Sequence, residues 1–167
     1  MPSPAMLTVE HRLVIKAQPS RVMRAFVDAD DLSRWWQVVR SVTVPKPLGP
    51  YAVEWATTDF RDEILGPLGG ALHGTIMEYR PGRELFLADA YWQAPEGAPV
   101  GPMAIEISVR PTDTIFVSEV RLRQSGEDLG PRWQRYFQIM QAGWGRALLE
   151  LKLYLDAETS PARAERR

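Results

Sequence analysis

From about Gly130 to Leu155 the chain carries Trp133, Phe137, Met140, Trp144, Leu148, Leu151 and Leu155, separated by steps of three or four residues. At 3.6 residues per turn these positions fall on one stripe of a helix of about seven turns. Pro131 sits near its start, where a missing amide has no partner to lose. A helix of this length with an aromatic-rich stripe must cover that stripe with a large apolar surface. The rest of the chain offers only one: a sheet.

Strand signals fill most of the preceding sequence. Thr8 to Ile15 places Val9, Leu13 and Ile15 on one parity. Two short helices follow. Pro19 suits a first turn, with Val22 and Phe26 four residues apart, and Asp28 or Asp30 caps a segment where Leu32, Trp35 and Trp36 fall at i, i+3 and i+4. Further strands are predicted at Val38–Val44, Tyr51–Thr57, Leu72–Tyr79, Glu84–Trp92, Met103–Val109 and Thr114–Arg123, separated by Pro- and Gly-rich turns. The segment from Thr57 to His73 reads as a long loop, a kind that in compact domains is often functional or mobile. The expectation is an α+β chain with a curved antiparallel sheet of six or seven strands around a long C-terminal helix. A single domain is expected over residues 8–156, with flexible tails at 1–7 and 157–167, where polar and proline-containing sequence buries little.

Bulk properties narrow the function. Lys and Arg number 20 against 21 Asp and Glu, so no positive field favours nucleic acid. The absence of cysteine excludes thiolate chemistry, disulfides and iron–sulfur ligation, and fits a reducing cytoplasm. No apolar run is long enough to span a bilayer, and the N-terminus lacks a secretion-signal pattern.

Two segments carry a family likeness. Ala25-Phe26-Val27-Asp28-Ala29-Asp30-Asp31-Leu32-Ser33-Arg34-Trp35-Trp36 joins an aromatic, a short acidic turn and a tryptophan pair. Gly143-Trp144 is followed by Leu148, Leu151-Lys152 and Tyr154-Leu155. With the Gly74-led strand through Pro81, these resemble the heat-shock-protein-90 ATPase activator-like branch of the START/Bet v superfamily, also called SRPBCC, over roughly residues 8–156. The resemblance implies a helix-grip fold with a cavity between sheet and helix, often for an apolar or aromatic small molecule. It also brings two alternatives: a polyketide cyclase or aromatase-like enzyme, and an interaction protein of the chaperone-activating kind.

The residues themselves offer little catalysis. His11 and His73 lie in different strands without metal-ligand spacing, so no metal or other cofactor is expected. Ser108 and Ser118 lack a nucleophile motif, and Gly66-Pro67-Leu68-Gly69-Gly70 lacks the lysine of a phosphate loop. Asp59, Arg61, Asp62 and Glu63 read as a solvated loop, and Glu54 as an outward strand residue. An enzyme would have to draw on His73, Arg61, Tyr79 or Tyr91, which form no convergent set. The aromatic and methionine residues carry the main hypothesis, non-enzymatic binding of a hydrophobic or aromatic molecule. Trp36, Trp55, His73, Met77, Phe86, Trp92, Trp133, Phe137 and Met140 are the expected ligand contacts, with Trp35, Trp144 and Leu148 assigned to the core. Exposed strand residues leave a homodimer edge open.

Overall fold

The structure, a computed structural model, describes residues 3–158. Its elements run β1 (Met6–Ile15), α1 (Pro19–Ala25), α2 (Ala29–Trp35), β2 (Arg40–Thr43), β3 (Pro50–Trp55), β4 (Arg61–Asp62), β5 (Gly66–Pro67), β6 (Gly70–Arg80), β7 (Glu84–Gln93), β8 (Val100–Pro111), β9 (Ser118–Glu127) and α3 (Pro131–Glu158). Seven strands form one antiparallel sheet in the order β1-β9-β8-β7-β6-β3-β2, with β4 and β5 paired separately. This is the helix-grip α+β fold.

Several boundaries move. The first strand begins at Met6 and the last helix runs to Glu158, so both expected tails are shorter. The remainder of those tails, residues 1–2 and 159–167, lies outside the described residues. The strand expected from Thr114 starts at Ser118, because Thr112 and Val117 close a turn through paired backbone and side-chain hydrogen bonds. The long loop is not wholly irregular: it folds back on itself through the two-residue β4–β5 ladder.

Asp28 caps α2 by accepting from the Asp31 amide, and Pro19 opens α1. The α3 stripe meets the concave face of the sheet, with Phe137, Trp144, Leu148, Leu151 and Leu155 all buried. Trp35, Trp144 and Leu148 are core residues, as expected. The helix leans toward the β1 side of the sheet. Gly145 permits this approach: a Cβ there would sit 3.3 Å from the His11 ring, whose Nε2 is 2.8 Å from the Gln141 carbonyl.

Three α-elements are tied together at the C-terminal end of α3. Arg21 donates two hydrogen bonds to Asp31 at 2.8 Å and two to Glu158 at 2.8 and 2.9 Å, while the Tyr154 hydroxyl donates to Asp31 at 2.6 Å. The Arg21 and Tyr154 contacts outweigh the cost of burial and hold the Asp31 carboxyl below its usual range.

Candidate ligand cleft

Because α3 packs most closely on the β1 side, the N-terminal half of the helix leaves an opening over β7, β6 and β3. A cleft of about 550 Å³ occupies it, open to solvent at one side. Trp36, Gln37 and Val39 after α2 form one wall, and Trp55 with Ala56 to Thr58 continues it. Leu65, Leu68 and Gly69 of the long loop form a second wall, and Leu72 and Trp92 the sheet floor. The helix contributes Tyr136, Ile139, Met140 and Gly143.

The aromatic residues are held in fixed orientations. The Trp36 and Trp55 rings meet edge to face at 4.9 Å, and the Trp55 indole N–H donates to the Trp36 carbonyl at 3.1 Å. Trp92 stacks on Tyr136 at 5.2 Å, and its N–H donates to the Gly69 carbonyl at 2.8 Å. That last bond ties the loop to the sheet. Gly69 has a φ of 108°, and a Cβ there would lie 2.6 Å from the Ala56 carbonyl oxygen, so glycine lets the two walls meet.

Asp62 secures the loop wall. It is buried, contrary to the solvated-loop expectation, and one carboxylate oxygen accepts from Arg135 Nε and Nη2 at 2.9 and 2.7 Å. The other accepts from the Ile64 and Leu65 amides at 3.0 Å. The Arg135 bonds, followed by those amides, lower the Asp62 pKa to about 2. Arg132 adds a second tether, donating to the Ala98 and Glu96 carbonyls at 2.9 and 3.2 Å and lying 5.8 Å from the Trp92 ring centre.

Behind the cleft runs a buried polar chain. The Trp144 N–H donates to Gln124 Oε1 at 2.7 Å, and Gln124 Nε2 donates to the Tyr136 hydroxyl oxygen at 3.2 Å. Burial pushes the Tyr136 pKa well up, so the phenol stays protonated.

Of the residues expected to contact a ligand, the structure brings Trp36, Trp55, Trp92 and Met140 together around the cleft. The other five stand elsewhere. Phe137 is buried one helix face away, against Gly126 and Tyr136. Trp133 packs against the core with its Nε1 buried and unbonded among the described residues. His73 is exposed and stacks on Tyr91 at 5.9 Å on the outer face of the sheet. Phe86 also faces outward, between buried Leu85 and Leu87. Met77 is 44% exposed as the extra residue of a bulge, since Ile76 pairs with Leu87 and Glu78 with Phe86. Glu54 is outward as expected, bonded to Arg40 at 2.7 Å.

Three helix residues of the cleft, Tyr136, Ile139 and Gly143, are absent from the expected contacts. With Met140, which the main stripe also contains, they fall at i, i+3, i+4 and i+7 and so share the side of the helix that borders the cleft. The signal is present in the spacing. Leu65 and Leu68 have no such signal, because their placement depends on the distant Asp62–Arg135 pair.

A helix-grip sheet with an apolar cleft under one long helix defines the structural class. The sequence profile of the family described as "Activator of Hsp90 ATPase homolog 1-like protein" matches residues 16–156. The chain belongs to that family, within the SRPBCC superfamily. No protein with a curated description matches it. Solved structures share the fold. Protein MLL2253 from Mesorhizobium loti is 20% identical with a TM-score of 0.67, the match covering 92% of this chain and 98% of that one. The protein of unknown function SA2116 from Staphylococcus aureus is 13% identical with a TM-score of 0.69, covering 93% and 97%. The Aha1 dimer from Colwellia psychrerythraea is 19% identical with a TM-score of 0.60, covering 92% and 98%. At these identities the likeness speaks for the fold alone. Family membership supports a ligand-binding or activator-like role in general terms. No described helix is long and apolar enough to cross a membrane.

Proposed function

We propose that this protein binds an apolar or aromatic small molecule in the cleft and does not transform it. The observation that carries this reading is the cleft itself: about 550 Å³, walled by Trp36, Trp55, Trp92, Leu65, Leu72 and Met140. Ligand pockets typically span roughly 300–1,000 Å³, with mainly apolar walls and a few placed polar groups.

The composition of the walls weighs against the cyclase alternative. General acid–base catalysis calls for a group that titrates near the working pH. Tyr136 is the lining residue that titrates, and burial moves it away from neutrality. Of the other residues an enzyme could draw on, Arg61 is paired with Glu96 at the surface, and His73 and Tyr91 occupy the opposite face of the sheet. Tyr79 lies outside the lining.

The test is a titration with N-phenyl-1-naphthylamine, a neutral aromatic probe, followed by tryptophan emission. Saturable one-site quenching is expected from the three tryptophans at the cleft. Linear, unsaturable quenching would remove the reading. The activator-like alternative rests on family membership over residues 16–156, and stoichiometric recovery of Hsp90 on the immobilised protein would place it first. The Colwellia psychrerythraea structure is described as a dimer. Carried over to this chain, a homodimer is part of the proposal, and sedimentation equilibrium decides it.

A further inference from the structure

The polar chain behind the cleft has a direction, and the direction has a chemical consequence. An indole N–H can only donate, so the Gln124 atom 2.7 Å from Trp144 Nε1 must be the amide oxygen. The Gln124 amide nitrogen therefore faces Tyr136 and Met103, 3.2 Å from the hydroxyl oxygen and 3.2 Å from the Met103 sulfur. Both of its protons are committed there. Gln124 is fully buried in β9, so no solvent exchange loosens this arrangement.

The Tyr136 oxygen is consequently an acceptor in this chain, and its own proton must leave in another direction. Among the described residues no protein atom accepts it, although Tyr136 is only 3% exposed. A buried donor without a partner is costly. Accepting the Gln124 bond also polarises the O–H and strengthens it as a donor. The open space that Tyr136 borders is the cleft.

We infer that Tyr136 is the specificity-determining anchor of the cleft, and that its ligand is an apolar aromatic molecule carrying one neutral oxygen acceptor, such as a ketone carbonyl, which takes the Tyr136 proton. This rests on the binding reading above and narrows it. The tryptophans provide affinity for any flat apolar ring. The sequential donors Trp144, Gln124 and Tyr136 provide the preference for oxygen at the inner end.

The experiment compares 2-acetonaphthalene with 2-isopropenylnaphthalene, in which a methylene group replaces the carbonyl oxygen at nearly the same shape. Both are titrated into the wild-type protein and into Tyr136→Phe. The ratio of ketone to alkene affinity is expected to fall about tenfold in the variant, the size of one well-made hydrogen bond, through loss of ketone binding with alkene binding kept. Bound to the wild type, the ketone carbonyl stretch is expected to shift to lower frequency than in alkane solvent. This second measurement stands even if the variant folds poorly. An unchanged ratio, an equal loss of both probes, or an unshifted carbonyl overturns the anchor while leaving the binder intact. If neither probe saturates the wild type, anchor and binder fall together.

Discussion

Gly143 is the residue whose replacement separates binding from stability. It lies inside α3, where glycine costs about 1 kcal/mol relative to alanine. An added Cβ would meet nothing nearer than the Met140 sulfur at 3.9 Å, because that side of the helix faces the cleft. Gly143→Leu is therefore expected to hold or raise the melting temperature while reducing N-phenyl-1-naphthylamine affinity at least roughly tenfold, since the new side chain occupies ligand space. Thermal melts and fluorescence titration of the same sample check both halves. Gly145, two residues on, is the control: its Cβ would press on His11, so substitution there should leave binding intact without a gain in stability. At this scale the sequence is partly readable. Trp36, Trp55, Trp92 and Met140 are recognisable as apolar residues destined for the helix–sheet gap. Phe86 is misplaced although Leu85 and Leu87 flank it with the opposite parity. Met77 is misplaced because a bulge interrupts the two-residue period, and nothing local in the sequence announces that bulge.

Among the elements, the existence and course of α3 are legible, because a stripe of seven large apolar residues has to be covered by the sheet. The loop between β3 and β6 is not. Its shape depends on Asp62 meeting Arg135, 73 residues away, and a lone aspartate among charged neighbours looks like any solvated residue. The pair makes a pH prediction. The folded-state Asp62 pKa of about 2 lies below its ordinary value of 3.8, so the folded state binds fewer protons than the unfolded state between these values. Its stabilisation is complete above the unfolded pKa and is lost as pH falls through the folded one. Asp62→Asn should thus melt below the wild type at neutral pH, with the two curves converging between about pH 4 and 2. Parallel curves across that window would show that Asp62 carries no such linkage. A second element-level prediction concerns the Arg21 cluster joining α1, α2 and α3. Arg21→Met leaves the buried Asp31 carboxylate with Tyr154 but without its cation, and should lower stability by about 2–3 kcal/mol. Urea unfolding measures it. A loss within a few tenths of a kcal/mol would mean the cluster is compensated by solvent.

On the scale of the whole molecule, the cleft follows from where the helix rests. Gly145 and the His11–Gln141 contact draw α3 toward β1, and the sheet continues through β7, β6, β3 and β2 on the side away from β1. The chain covers the remaining concave face only at its rim, with the loop wall on one side and the turn after α2 on the other. The space between is a consequence of this offset, which is why helix and sheet are predictable separately and the cleft between them only as an expectation. Ligand binding should therefore stabilise the whole fold. It joins walls drawn from α2, β3, the loop and α3 without requiring any of them to unfold or shift far. At a hundredfold excess over its dissociation constant, a ligand that binds only the folded state contributes about 2.7 kcal/mol. For a chain of this length that corresponds to a melting temperature raised by roughly 5–10 °C. Differential scanning calorimetry with 2-acetonaphthalene tests this, with Gly143→Leu expected to show no rise at the same concentration. Hydrogen exchange locates the effect: protection should increase in residues 56–69 and at the N-terminal half of α3. The β1–β9 ladder, already sealed by the helix, should not change. Increased protection confined to β1 and β9 would put the ligand on the outer face of the sheet, and the cleft would then be a gap in packing with no bound partner.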